Sequence, residues 1–469
     1  MKKWLFGSGA VLLLLMAGLF LLLPRLGLSP GNLRANIDIG GAMSAKLACS
    51  ARYVSGFTPE QAKADVVSYS PAFRLVHITY DDSLRRTQAS LLGMGTAAAR
   101  YRPGLGCTLE RGTDAVLADL SVRELPVSSG LWPQGEQVGA ADVALQAKLD
   151  SLLVRDNLAG YQTRALVVVK DGELRAESYA QGIAPQTPLL GWSMGKSIAA
   201  MMFGRMEKQG LLDINQDNLF PAWVNDDRRS ITIENLLQMS SGLAFSEVYA
   251  PGSDATDMLF LAPSAAAVAM RSPAVHPPGD HFSYSSGTTN LLMYLMTQRL
   301  GGPQAALDYM WQEVFAPLGV RHAVFEPDPS GVMVASSYIY ASPRDWARLG
   351  LANLYQGLPA LRATDVPPTT TSRLFSDDWA QRAQAPNEST NGRAYGYQFW
   401  LNDGGEQLRW PELPADAFAM TGNRQQIVMM IPSRNMVIVR LGWSPGRYPT
   451  GSNFAELISV GEHADKGAT

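Results

Sequence analysis

Histidine and cysteine are scarce in this chain. Five histidines (His77, His276, His281, His322 and His463) occur in 469 residues, and none forms a His-Glu-x-x-His pair. The two cysteines, Cys49 and Cys107, make no Cys-x-x-Cys. Zinc sites are built from such residues at close spacing, so no metal centre is expected. A basic excess is also missing: the formal net charge is -3 and the pI is about 6.0. With no like-charge run either, no nucleic-acid partner is expected. Charged residues make up 17% of the chain and hydrophobic residues 46%. That balance argues against disorder and supplies apolar side chains for a large core.

What is present begins with Lys2 and Lys3, followed by an uncharged apolar run over residues 4–23 and then Pro24 and Arg25. About 20 apolar residues can span a bilayer as a helix. Residues 1–30 therefore read as an N-terminal signal-anchor, with the positive end cytoplasmic and the body beyond a bacterial-type inner membrane, in the periplasm. Secretion after signal cleavage is the alternative. An exported body permits a disulfide between Cys49 and Cys107; two separate buried thiols are the other reading.

Residues 31–135 form an accessory region with a strand-like run at 73–80 and no catalytic pattern. A stretch rich in Pro, Gly and Ser over residues 126–135 reads as a linker. Residues 140–460 read as one catalytic domain. In it, β-rich runs at 165–170 and 173–180 flank Asp171-Gly172, a hairpin turn signal. Apolar residues at helical spacing predict helices over 193–209, 234–239 and 290–300. Two apolar strands are predicted over 426–432 and 436–443.

The sharpest chemical pattern is Ser193-Met194-Gly195-Lys196. Serine and lysine three apart on a helix share a face. A serine hydroxyl needs a base to attack, and a lysine whose pKa is lowered by burial can be that base. The tetrad follows a hairpin and opens an apolar helix, whose N-terminus favours a developing anion. A helix-capping serine is the bland alternative. His281, three residues before Tyr284, suggests a rival Ser-His-Asp triad; we read it instead as a structural or rim residue.

These elements, in this order, resemble the serine β-lactamase, penicillin-binding-protein and SxxK-esterase superfamily, in its class C-like branch. The resemblance covers about residues 145–445. It rests on Lys170-Asp171-Gly172, Gly191-Trp192-Ser193-Met194-Gly195-Lys196, Ile231-Thr232-Ile233-Glu234-Asn235, Pro278-Gly279-Asp280 before Tyr284-Ser285-Ser286, and Tyr395-Gly396-Tyr397 before Thr421-Gly422. It implies an α/β (α+β) fold in which an antiparallel sheet is flanked by helices, with a helical subdomain and an extra N-terminal module. It further implies Ser193 as nucleophile, Lys196 as base and Tyr284 as proton shuttle, acting without a cofactor on a small ester or amide.

Two family motifs are altered. The Tyr-x-Asn motif reads Tyr284-Ser285-Ser286, and the Lys-Thr-Gly motif reads Met420-Thr421-Gly422. The first change looks more like nylon-oligomer hydrolases and some esterases than β-lactamases, and the lost lysine weakens the case for recognition of a β-lactam or a D-Ala-D-Ala peptide. Asn423 is a candidate oxyanion donor alongside the Ser193 N–H, Arg424 a candidate partner for a substrate carboxylate, and Trp192 a candidate pocket wall. A cell-wall DD-peptidase or β-lactamase, and a non-catalytic sensor that keeps the fold, are the other functions considered.

Overall fold

Asp171 and Gly172 both take positive φ, 51° and 79°, the backbone of a tight hairpin that matches strand twist. They join β5 (Thr163–Lys170) to β6 (Glu173–Tyr179), the edge pair of a six-stranded antiparallel sheet. In the computed structural model, which describes residues 32–113, 115–122, 125, 129–356 and 373–466, two further small sheets flank this one. Part of the expected linker, residues 126–128, lies outside the described residues.

Ahead of the central sheet, helix α1 (Leu33–Tyr53) and helix α2 (Pro59–Val67) accompany strands β1 (Val76–Asp81), β2 (Arg86–Leu91), β3 (Met94–Arg102) and β4 (Gly106–Leu109). The four strands pair consecutively, and α1 lies across β2 and β3. The run at 73–80 is only partly strand. Ser70 accepts a hydrogen bond from the Ala72 N–H and Pro71 follows it, so residues Pro71–Leu75 coil as a 3₁₀ turn before β1 begins.

The main domain continues with α3 (Val143–Leu158), then β7 (Leu189–Leu190), α4 (Met194–Lys208), α5 (Asp254–Phe260), α6 (Ser286–Leu300), β8 (Ala323–Phe325), β9 (Ile339–Ala341) and α7 (Pro343–Tyr355). It closes with β10 (Trp400–Leu401), β11 (Phe418–Gly422), β12 (Gln426–Ile431), β13 (Met436–Gly442) and α8 (Thr450–Lys466). The central sheet runs β10-β11-β12-β13-β5-β6. Side chains alternate across it as strand geometry requires. Leu166, Val168 and Ile438 pack under α3 and α8, while Val167, Val169 and Val439 join the larger core with α4 and α7. The predicted strand pair over 426–432 and 436–443 is β12 and β13, and the helices expected at 193–209 and 290–300 are α4 and α6.

The N-terminal elements share that larger core. They are also pinned to it by polar groups. Lys46 of α1, buried, forms an ion pair with Glu326, also buried, just after β8. The second Glu326 oxygen accepts from the Cys107 N–H and the Ser50 hydroxyl, each at 2.7 Å. Desolvation lowers the Lys46 pKa and raises that of Glu326, and each charge opposes the shift of the other. Asp65 of α2 pairs with Arg164 of β5 at 2.5 Å.

Cys49 of α1 and Cys107 of β4 form a disulfide, 58 residues apart in sequence. Closing a loop of that length stabilises a fold by about 2–4 kcal/mol. The double change Cys49→Ser and Cys107→Ser is therefore expected to lower unfolding free energy by about 2–4 kcal/mol, read from urea denaturation with the slope fitted for each protein, because the unlinked denatured chain is less compact.

The expected membrane anchor requires correction. Among the described residues no helix is long and apolar enough to cross a membrane. The run over residues 4–23, on which that expectation rested, lies outside the described residues. The inner-membrane placement is not carried forward.

Candidate active site

Gly191 is fixed when its N–H donates to the Ile339 carbonyl at 2.8 Å, extending the β7–β9 pairing. Trp192 then takes φ of 50°, a left-handed conformation unusual for a bulky residue. That turn swings the chain into α4 and leaves Ser193 at the helix start. The Trp192 ring is buried among Tyr69, Tyr338 and Trp443, with centroid distances of 6.3–6.5 Å. Residues 191–195 read Gly-x-Ser-x-Gly, the frame of a nucleophile elbow, which corrects the expectation of no such elbow that set the Ser-His-Asp triad aside; the geometry of His281, stacked on His276, is what now argues against that triad. The second glycine of this frame is required by space: a Cβ on Gly195 would lie 2.4 Å from the Ala335 carbonyl oxygen.

Ser193 is half-buried and its hydroxyl makes no capping hydrogen bond. The Lys196 amine sits 3.1 Å from it instead. Lys196 is buried, and its Nζ also lies 3.0 Å from the Ser286 hydroxyl and 3.0 Å from the Ser336 carbonyl oxygen. Burial pulls its pKa down to about 8, against the nearby Glu247 carboxylate, which pushes it up. A neutral amine has two N–H groups and one lone pair. Ser336 and Ser286 can take the two hydrogens, which leaves the lone pair facing the Ser193 hydroxyl.

Ser286 opens α6 and holds a carboxylate that sequence reasoning missed. Its N–H donates to one Glu247 oxygen at 2.7 Å and its hydroxyl to the other at 2.6 Å. The Tyr249 hydroxyl donates to Glu247 at 2.9 Å. Glu247 lies in an irregular loop without periodicity or motif, so nothing in the one-dimensional pattern marks it.

Tyr284 places its ring 4.9 Å from the Lys196 Nζ. It stacks on Trp400 at 5.3 Å and meets Tyr395 edge-on at 5.9 Å. Burial raises the phenol pKa well above its usual value, offset in part by a hydrogen bond with the Ser193 hydroxyl.

The third-motif residues end β11. Gly422 packs so tightly that a Cβ there would lie 2.1 Å from the Gly191 carbonyl oxygen. This brings Thr421 and Gly422 beside the loop that carries Ser193. Asn423 lines the same cavity as Ser193 and accepts a hydrogen bond from the Tyr69 hydroxyl at 3.3 Å. Arg424 follows with φ of 61°, and its guanidinium lies 3.8 Å from the centre of the Tyr69 ring. It does not line the Ser193 cavity. His281 stacks on His276 at 4.1 Å and meets Asn391, while the Ser193 hydroxyl faces Lys196.

The arrangement places a buried amine of lowered pKa, a hydroxyl and a phenol around one point at a helix N-terminus. Among the described residues no group of three or more His, Cys, Asp or Glu is placed to hold a metal ion.

The β-lactamase family profile matches residues 153–451. The chain belongs to the β-lactamase family of serine hydrolases. Solved structures agree on the fold. A family VIII carboxylesterase superposes with TM-score 0.53 at 14% identity, covering 70% of this chain and 99% of its own. A protein assigned as a 6-aminohexanoate-dimer hydrolase from Bacillus anthracis gives 0.51 at 18% identity, covering 67% and 82%. A class C β-lactamase variant gives 0.50 at 15% identity, covering 68% and 97%.

Proposed function

We propose that this protein hydrolyses an ester or amide through an acyl-enzyme on Ser193. The observation that carries this reading is the contact of the buried Lys196 amine with the Ser193 hydroxyl. In the cycle, neutral Lys196 takes the hydroxyl proton as Ser193 attacks the carbonyl carbon. The N–H groups of Ser193 and Asn423 hold the oxyanion. The resulting ammonium is stabilised by Ser286, the Ser336 carbonyl and the charge of Glu247. Tyr284 passes a proton to the leaving group and is reprotonated from the Lys196 ammonium, which returns that amine to its neutral form. A water then attacks the acyl carbonyl as Lys196 takes its proton, and Lys196 hands that proton to Ser193 as it departs.

A penicillin or a peptide ending in a carboxylate is a poorer fit. The third motif lacks its lysine, and the nearby Arg424 guanidinium packs against the Tyr69 ring. The esterase and amidase reading therefore stands ahead of the cell-wall one.

The test is the pH profile of kcat/KM for an activated ester. Only the neutral amine is a base, and its pKa is lowered to about 8. The rate is expected to climb about tenfold per pH unit below that value and to level off above it. Glu247 favours the charged amine. Glu247→Gln is thus expected to move the rising limb to lower pH. A flat profile between pH 6 and 9 contradicts Lys196 as base, and an unmoved limb contradicts the role of Glu247.

A further inference from the structure

The cavity that opens on Ser193 has a volume of about 470 Å³, within the range of small-molecule sites. One wall comes from the main domain, including Trp192 and Phe260. The facing wall comes from the N-terminal elements: Ile39 and Met43 of α1, Phe73, and Leu91 of β2. Among the described residues no charged side chain lines this cavity. Its polar groups include Ser70, Thr256 and Asn423. The helix that carries Ile39 and Met43 also carries Lys46, whose buried ion pair with Glu326 ties this wall to the main domain, and Cys49, whose disulfide with Cys107 ties the helix to β4.

We infer that the N-terminal elements set substrate choice: they form a receptor for an uncharged, apolar group of medium length on the scissile ester or amide. This rests on the proposed acyl-enzyme reading of Ser193. An apolar group entering such a cavity leaves water on both sides of the contact, and each methylene buried improves transition-state binding by roughly fourfold. A charged substituent finds no partner there and is disfavoured by desolvation.

The experiment measures kcat/KM of the full chain on two ester series. In one, p-nitrophenyl esters carry acyl groups of two to eight carbons. In the other, alkyl acetates carry the same lengths on the leaving side. One series is expected to rise by roughly fourfold per added methylene until the cavity is filled. The series that rises identifies which side of the bond the cavity receives. Met43→Trp is expected to penalise the longest substrates far more than the acetate, and Phe73→Ala to move the optimum to longer chains. If both series are flat while Ser193 still reacts with a fluorophosphonate, the cavity assignment is wrong and the acyl-enzyme reading stands. If the folded chain neither turns over any ester nor is labelled, both fall. Length profiles unchanged in both variants also overturn the assignment.

Discussion

Replacing Lys196 by alanine is expected to reduce kcat/KM for an activated ester by about 10⁴-fold, equivalent to about 5 kcal/mol of transition-state stabilisation. Lys196 is the amine that meets the Ser193 hydroxyl, the Tyr284 phenol beside it is held protonated by burial, and a serine hydroxyl without a base is a weak nucleophile. General-base assistance is worth 10²–10⁴-fold by itself. Lys196 also donates to Ser286 and the Ser336 carbonyl, so its loss removes the donor these two groups face and the amine that lies in the field of Glu247. Lys196→Arg keeps a cation but presents a group that stays protonated throughout the accessible pH range. It should be nearly as inactive as alanine and should lose the rising limb near pH 8. Ser193→Ala is expected to match Lys196→Ala, and the double variant to be little worse than either, because residues acting as one unit are not additive. Stopped-flow or steady-state ester assays across the four variants read this directly.

Glu326→Ala is expected to destabilise the fold by about 3–5 kcal/mol, the usual consequence of stripping one partner from a buried ion pair. Both side chains of the Lys46–Glu326 pair are almost fully buried. Removing the carboxylate strands the Lys46 charge and takes from the Cys107 N–H the oxygen it donates to, while the Ser50 hydroxyl keeps the Lys46 carbonyl as an acceptor at 3.2 Å. The size of the loss reflects the orphaned charge more than the worth of the pair. The double variant Lys46→Met with Glu326→Gln should therefore recover more than half of it, since glutamine still accepts from Cys107 and Ser50. Urea denaturation of parent, single and double variants gives the three values. A double variant as unstable as the single one contradicts this account of the pin.

Both expectations show where local pattern carries information and where it does not. Ser193 and Lys196 were legible because three-residue spacing on a helix converts directly into a shared face, and the apolar periodicity around them marks α4. Strands β5, β6, β12 and β13 were legible for a similar reason: their apolar content and the Asp171-Gly172 turn are local. Of the strand-like run at 73–80, residues 73–75 belong instead to the 3₁₀ turn Pro71–Leu75, because their apolar content masks the turn set up by Ser70 and Pro71, while Val76 onward is strand. Glu247 was invisible. Its role depends on a loop folding back onto the first turn of α6, a long-range contact with no periodic trace. The cavity wall was equally hidden, since Ile39, Met43, Phe73 and Leu91 are ordinary core residues by composition. Only the tertiary arrangement sets them opposite Trp192. Arg424 shows the converse. Its charge suggested a carboxylate partner, but the positive φ at that position turns the guanidinium onto Tyr69.

The identity of the nucleophile is tested most directly by intact-mass labelling of the full chain with a fluorophosphonate and, separately, with a penicillin. The expected result is one fluorophosphonate adduct on the parent, located at Ser193 by peptide mapping and absent from Ser193→Ala, with no stable penicillin adduct. An adduct that persists in Ser193→Ala, or a folded parent that takes up no label, would contradict the assignment of Ser193.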